Sequence, residues 1–315
     1  MELISFKPIY KKRIWGGQML AKRLGRPIPK DQPIGESWDI SDREDDQSIV
    51  ANGIHKGESL KNLLSSFGDQ IMGPKFSKKT PFPILVKWLD CKETLSLQVH
   101  PPDRICKELG AQPKTENWYI LDSQQDASLY IGLNSGITIE KFRENINSPN
   151  LKSFLKIHKS RPGNSYFIES GTLHAIGGGN LILEIQQNSD TTFRVHDWNR
   201  VGLDGKPRKL HVEKSVKSLT NNNLKAKFCC PDPSSSILAD CPHFRIRLLK
   251  ISKKTPSIKL LRNITPSIIS VVEGNINDVI SNLTLKLGDS ALLPYAADAE
   301  LTTDTQAKIL ITDRF

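Results

Sequence analysis

The chain has 315 residues, with 37% hydrophobic and 25% charged content, and its 44 Lys+Arg against 34 Asp+Glu give a formal net charge of +10. These proportions exclude a disordered chain, and no apolar run approaches the ~20 residues that a membrane-spanning helix needs. The basic residues fall in short clusters at 11–13, 75–79 and 206–209 and not along one aromatic-studded helix, which argues against nucleic acid as a partner and leaves an anionic small molecule or plain surface charge.

In chain order, residues 1–60 read as short strands and turns. "ESLKNLLSSFGDQIM" (58–72) predicts a helix capped by Ser59, with apolar residues at near-3.6 spacing. "FPILVKWLD" (82–90) predicts a strand buried on both faces. "TLSLQVHPP" (94–102) alternates with period two, and "TENWYILDS" predicts another strand. "TIEKFRENIN" and "NLKSFLKIH" read as helices opened by Thr and Asn capping signals. "NSYFIES", "LILEIQQNS" and "TTFRVHDW" predict three more strands, and "HVEKSVKSL" (211–219) a helix. "CCPDPSSS" (229–236) reads as a linker, after which the chain is strand-rich again. Short strands at this spacing predict a mainly β protein of sandwich or small-barrel type. The basic cluster follows the first apolar residues, the wrong order for a signal peptide, and the five cysteines include no C-x-x-C. A cytoplasmic chain with reduced thiols is expected.

An internal echo bears on the architecture. "PGNSYFIESGTLHA" (162–175) resembles "LGDSALLPYAADAE" (287–300), aligning Gly163 with Gly288, Ile168 with Leu293, and His174 with Ala299. Two related β-barrel units follow, only the first carrying polar chemistry. The expected domains are 1–228 and a degenerate 237–315.

Gln98 and His100 are two apart on a strand and so share a face. Glu116 opens the next strand and His174 comes from an end of a later one. Two histidines and a carboxylate are a common zinc set, with iron(II) and manganese also compatible. Lys114 shares a face with Glu116; it either holds an oxyanion or is a solvated rim residue. Glu184 is a candidate proton carrier and Arg194 a candidate for oxyanion recognition, with a structural ion pair as the plain alternative for both. Lys87 lies inside an apolar run, where an unpaired charge is costly. The glycines at 177–179 lead into a strand, not a helix, and so lack phosphate-loop context. They are expected to form a turn or lid edge that keeps the backbone clear of a substrate.

"RIWGG", "IGESWDIS", "LSLQVHP", "KTENWYIL", "PGNSYFIESGTLHAIGGG" and "LEIQQNSDTTFRVHDW" fall in one order, and over nearly the whole chain this resembles the type I phosphomannose isomerases of the short bacterial kind. The resemblance implies two cupin β-barrels with a few helices, one zinc per chain, and reversible mannose 6-phosphate to fructose 6-phosphate isomerisation through a cis-enediol(ate). Residue by residue, it implies Gln98, His100, Glu116 and His174 as metal ligands. Arg194 and Glu184 would be catalytic, and Lys87 and Lys114 would bind substrate. Glu169 and Asn164 depart from a common cupin pattern, at positions that shape a bend and are not ligands. The rivals are a non-catalytic sugar-phosphate sensor with a structural metal, a metal-dependent oxygenase, and an isomerase of another sugar phosphate.

Overall fold

The computed structural model describes residues 1–77, 80–220, 227–229 and 236–315 and is built mainly of antiparallel strands. The chain forms two compact units, Met1–Ile9 with Trp38–Lys87 and Pro231–Phe315, and Tyr10–Ser37 with Trp88–Cys230. The expected linker at 229–236 lies almost wholly outside the described residues.

Two sheets carry the site. One runs in the order Lys227–Cys229, Ser165–Ile168, Glu116–Ser123, Asn180–Gln187, Ile84–Cys91, Ile9–Gly17, Ile34–Ile40. The other runs Leu155–Lys159, Ser128–Leu133, His174–Ile176, Leu97–Val99, Phe193–His196. Strand side chains alternate between faces, so Trp118 and Ile120 point the same way. They meet Tyr166, Ile168 and Ile182 of their own sheet and Leu129, Ile131 and Ile176 of the other in one buried cluster. That cluster fills the barrel beneath the polar residues described below.

The internal repeat exists in three dimensions. The strands Phe244–Ile251, Ala307–Asp313, Ser267–Glu273 and Ser290–Leu293 are neighbours in the order that Ile84–Cys91, Asn180–Gln187, Glu116–Ser123 and Ser165–Ile168 keep in the first barrel. Ser257–Leu260, Ala299–Thr302, Asn275–Asp278 and Leu283–Lys286 likewise repeat the order of the smaller sheet. Even single hydrogen bonds recur. Gly163 N–H donates to Ile120 O at 2.8 Å and Ile120 N–H to Asn164 O at 2.9 Å; Gly288 N–H donates to Val271 O and Val271 N–H to Asp289 O, both at 2.9 Å. Gly163 and Gly288 have φ of 87° and 91°, the left-handed region that side chains disfavour, which is why this turn keeps glycine in both copies.

Most predicted elements are present. The helix Leu60–Met72 is capped by the Ser59 hydroxyl, which accepts from Asn62 N–H, and Ile139–Glu144 by Thr138 in the same way. All eight residues of Ile84–Cys91 are buried. Three details differ. "NLKSFLKIH" is a single 3-10 turn, Leu151–Phe154, followed by the strand Leu155–Lys159, because pairing with Ser128–Leu133 overrides a short helical pattern. The first 60 residues include a short helix, Met19–Leu24, whose cap is remote in sequence: Asp90 accepts from the Met19 and Leu20 N–H groups. Asp103–Leu109 is a helix where the sequence shows only a proline-ended bend.

The glycines at 177–179 are not at the site. Asn180 is opposite Ser123, at the far end of the strand that Glu116 opens. That is seven residues, or about 23 Å of extended chain. Their role is close packing: a Cβ on Gly177 would lie 2.4 Å from Ser128 O, and one on Gly178 2.9 Å from Lys92 O.

Candidate metal centre

Strand register assembles the polar cluster. On the small sheet His174 is directly opposite Gln98, and Gln98 is directly opposite Arg194, so the three side chains form one row on one face. On the large sheet Gln186 is opposite Glu116 and Glu184 opposite Trp118, so Glu116 and Glu184 share the face that carries Trp118 into the barrel. Each sheet thus turns its polar residues toward one end of a common interior.

His100, Glu116 and His174 each offer a ligand atom, and these atoms lie within 4.8 Å of one another; this trio could hold a metal ion. All three are buried, with 1%, 0% and 1% exposure. The ring tautomers follow from their other contacts. His100 Nδ1 is 2.7 Å from Thr191 O, and His174 Nδ1 is 2.8 Å from Thr172 O. A carbonyl oxygen only accepts, so both Nδ1 atoms carry the proton and both Nε2 lone pairs face inward. This carbonyl support is the usual means of orienting a ligating histidine. Glu116 Oε1 is buried without a hydrogen-bond partner among the described residues, 3.5 Å from His174 Nε2. Gln98 Nε2 is 3.2 Å from His174 Nε2.

The electrostatics suit a cation. Burial, then the Lys114 charge, pushes the His100 imidazole down to about 3, and burial lowers His174 as well. Both rings are therefore neutral at ordinary pH, the form that ligates metal. Burial pushes the Glu116 carboxyl up, but Lys114 and His100 outweigh it and hold the group well below the usual carboxylate range. The Lys114 ammonium hydrogen-bonds Glu116, with Glu184 Oε1 at 3.2 Å and His100 Nε2 at 3.1 Å. A positive group already fits among these donors. Two inward lone pairs and a buried carboxylate oxygen are the donor set that a divalent metal takes.

Lys114 is 4% exposed, which removes the solvated-rim alternative. Glu184 is 3% exposed and is ion-paired with Lys114, so the structural pairing expected as its plain alternative is present. Arg194 is half-buried; its Nη1 donates to Lys209 O at 2.8 Å, and its Nε has no hydrogen-bond partner among the described residues. Lys87 is buried on the strand face shared by Leu89 and Cys91, with its ammonium 5.8 Å from the Trp38 ring centre. A lysine in an apolar run thus finds an aromatic partner. Sequence reasoning assigned no role to Thr172 and Thr191, which hold the two imidazoles through backbone carbonyls that any residue could supply.

A mainly β chain of two cupin barrels, with a buried His-Glu-His trio in one of them, defines a cupin with a candidate metal centre. The family model for the phosphomannose isomerase type I catalytic domain matches residues 3–144. The chain is 37% identical to the mannose-6-phosphate isomerase ManA of Bacillus subtilis (strain 168), over 93% of each chain. It is 34% identical to the mannose-6-phosphate isomerase of Streptococcus mutans, covering 90% of this chain and 89% of that one. The crystal structure of the mannose 6-phosphate isomerase from Bacillus subtilis matches with a TM-score of 0.88 and 32% identity, over 99% of both chains. The chain belongs to the type I phosphomannose isomerase family.

Proposed function

We propose that the chain interconverts mannose 6-phosphate and fructose 6-phosphate with one zinc ion, held by His100, Glu116, His174 and Gln98. The observation that carries this reading is the pair of carbonyl-anchored imidazoles whose Nε2 atoms converge on a buried carboxylate, in a chain of this family. The barrel formed around Trp88–Cys230 does the chemistry, and the second is a degenerate copy. Zinc, when bound, supplies Lewis acidity toward the sugar oxygens.

The protein's own groups do the rest. Glu184 accepts the proton from C2 as the cis-enediolate forms and returns it to C1, while the O2 hydroxyl proton passes to O1, so the substrate is isomerised with no net gain or loss of a proton. Arg194 stabilises the enediolate charge as it develops, using a guanidinium already oriented by the Lys209 carbonyl. Lys87 and Lys114 bind the anionic substrate, in keeping with the basic balance of the chain. A cytoplasmic setting fits the reduced thiols of Cys91, Cys106 and Cys241. The test is a coupled assay of mannose 6-phosphate turnover with metal analysis. About one zinc per chain and chelator-sensitive turnover are expected. Full turnover by metal-free protein would overturn the metal assignment, and bound zinc without turnover would point to a sensor.

A further inference from the structure

We propose that Asp197 is a positioning residue for Arg194, acting through Arg208 and the Lys209 carbonyl; this rests on the role given to Arg194 above. Asp197 is 5% exposed and takes the Arg208 guanidinium in a two-point grip, Nε on Oδ2 at 2.7 Å and Nη2 on Oδ1. Arg200 Nη2 adds a third bond to Oδ1 at 3.0 Å. Bidentate arginine–carboxylate pairs fix orientation as well as distance. The residue after Arg208 is Lys209, whose carbonyl accepts from Arg194 Nη1. Two residues further on, His211 N–H donates to Arg194 O at 2.7 Å and His211 Nδ1 accepts from Arg194 N–H at 3.2 Å. The segment 208–211 is therefore pinned at one end by Asp197 and at the other by the Arg194 backbone, with the carbonyl that holds the guanidinium between the two.

The chain bends sharply to make this return. Trp198 and Asn199, directly after Asp197, have φ of 55° and 57°, a costly conformation for tryptophan. It is held by Trp198 Nε1 donating to Leu95 O at 2.6 Å and Arg200 Nη1 to Thr94 O at 2.5 Å. A strained turn, locked from several sides, brings Arg208 back to the carboxylate three residues beyond Arg194. Asp197 also offsets charge. Burial and then Arg208 press the Arg194 guanidinium toward losing its proton, and Asp197 opposes them.

The C-terminal barrel supplies a control. Asp313, 1% exposed, grips Arg245 and Arg247 in a comparable clamp. The experiment is steady-state mannose 6-phosphate kinetics on metal-loaded protein, with metal content and circular dichroism measured on each variant. Asp197→Asn is expected to lower kcat roughly 10- to 100-fold with KM within about threefold and zinc retained, the scale on which a misaligned group acts. Arg208→Gln, which leaves Asp197 paired with Arg200 and so preserves the fold, should show a kcat loss of the same kind. Asp313→Asn should leave kcat unchanged. In an Arg194→Lys background, Asp197→Asn should change kcat by less than about threefold, because coupled residues are non-additive. Equal fold-losses in both backgrounds, wild-type kcat in both clamp variants, or a matching loss in Asp313→Asn would overturn the proposal. Arg194→Ala with undiminished turnover would refute the role of Arg194 itself, and an inactive wild-type protein would refute the proposed reaction.

Discussion

The two barrels share a strand order and individual turn hydrogen bonds, yet their interiors differ at each polar position of the candidate site. Where the first barrel has His174 opposite Gln98, the second has Ala299 opposite Leu260. Glu116 is opposite Ile168; its counterpart opposite Leu293 is Ser267. Glu184 is opposite Trp118, and Ile311 is opposite Ile269. Ala299, Ile269 and Ile311 all belong to one buried apolar cluster. The position two beyond Leu260, matching His100, is Arg262, which is paired with Asp298. The scaffold therefore closes without any of these polar groups. In the first barrel they carry a desolvation cost that packing does not require, which is the physical reason to read them as functional.

The largest effect should come from copying the second barrel into the first. His174→Ala installs the residue already tolerated at the equivalent position, so the fold should persist. Zinc should be lost, and turnover should fall on the order of 10³-fold or more. Elemental analysis beside the coupled assay checks this; a variant that keeps both metal and turnover would place the centre elsewhere.

Next in size is the response of the Asp197 clamp in the first barrel as pH falls. Burial pushes the Asp197 carboxyl up, but Arg208 and Arg200 outweigh it, so the group titrates below its usual 3.8. A carboxyl lowered in the folded state contributes stability that is fully present above the unfolded value and is lost as pH falls through the folded one. Asp197→Asn should therefore cost roughly 1–3 kcal/mol at pH 7, the range for hydrogen bonds to charged groups. That cost should shrink steadily below about pH 4. Urea unfolding of both proteins between pH 7 and 3 measures the gap; a gap independent of pH contradicts the sign argued here.

The converse graft should fail. Ala299→His places an imidazole opposite Leu260, and the strand positions that match Glu116 and Glu184 hold Ser267 and Ile311, which provide no carboxylate. It should destabilise by about 1–3 kcal/mol through overpacking and an unpaired polar ring. Zinc content should stay as in the wild type, and a second equivalent of bound zinc would show that strand position alone makes a ligand.

These contrasts also show what the sequence makes legible. The His-Glu-His trio is readable because strand parity brings Gln98 and His100 to one face and the echo of His174 is the apolar Ala299. The helix Met19–Leu24 was not, since its cap is Asp90, some 70 residues away in sequence. The turn-and-strand at 151–159 was misread because cross-strand pairing decided it. The glycines at 177–179 looked like a substrate feature, and only register places them at the opposite end of the barrel. The carbonyls of Thr172 and Thr191 have no sequence signature at all.

The smallest effect concerns a feature both barrels keep. Ser165 and Ser290 occupy matching strand positions and both bury a hydroxyl. Ser165 exchanges hydrogen bonds with the Asn117 amide at 2.9 and 3.1 Å. Ser290 meets the Ser270 hydroxyl at 2.9 Å, and the amide's place is taken by Ile268. Removing one member of a buried pair strands the other, and removing both with small apolar groups does not. Ser290→Ala should thus cost about 1–2 kcal/mol, and Ser270→Ala with Ser290→Ala together less than about 0.5 kcal/mol more, or even less than the single change. Ser165→Ala should cost more than Ser290→Ala, because it leaves both ends of a buried amide without that partner. Chemical unfolding of these three variants and of Ser270→Ala alone decides it; a double mutant destabilised by the full sum of its singles would show that the second barrel's hydroxyls act independently and not as a pair.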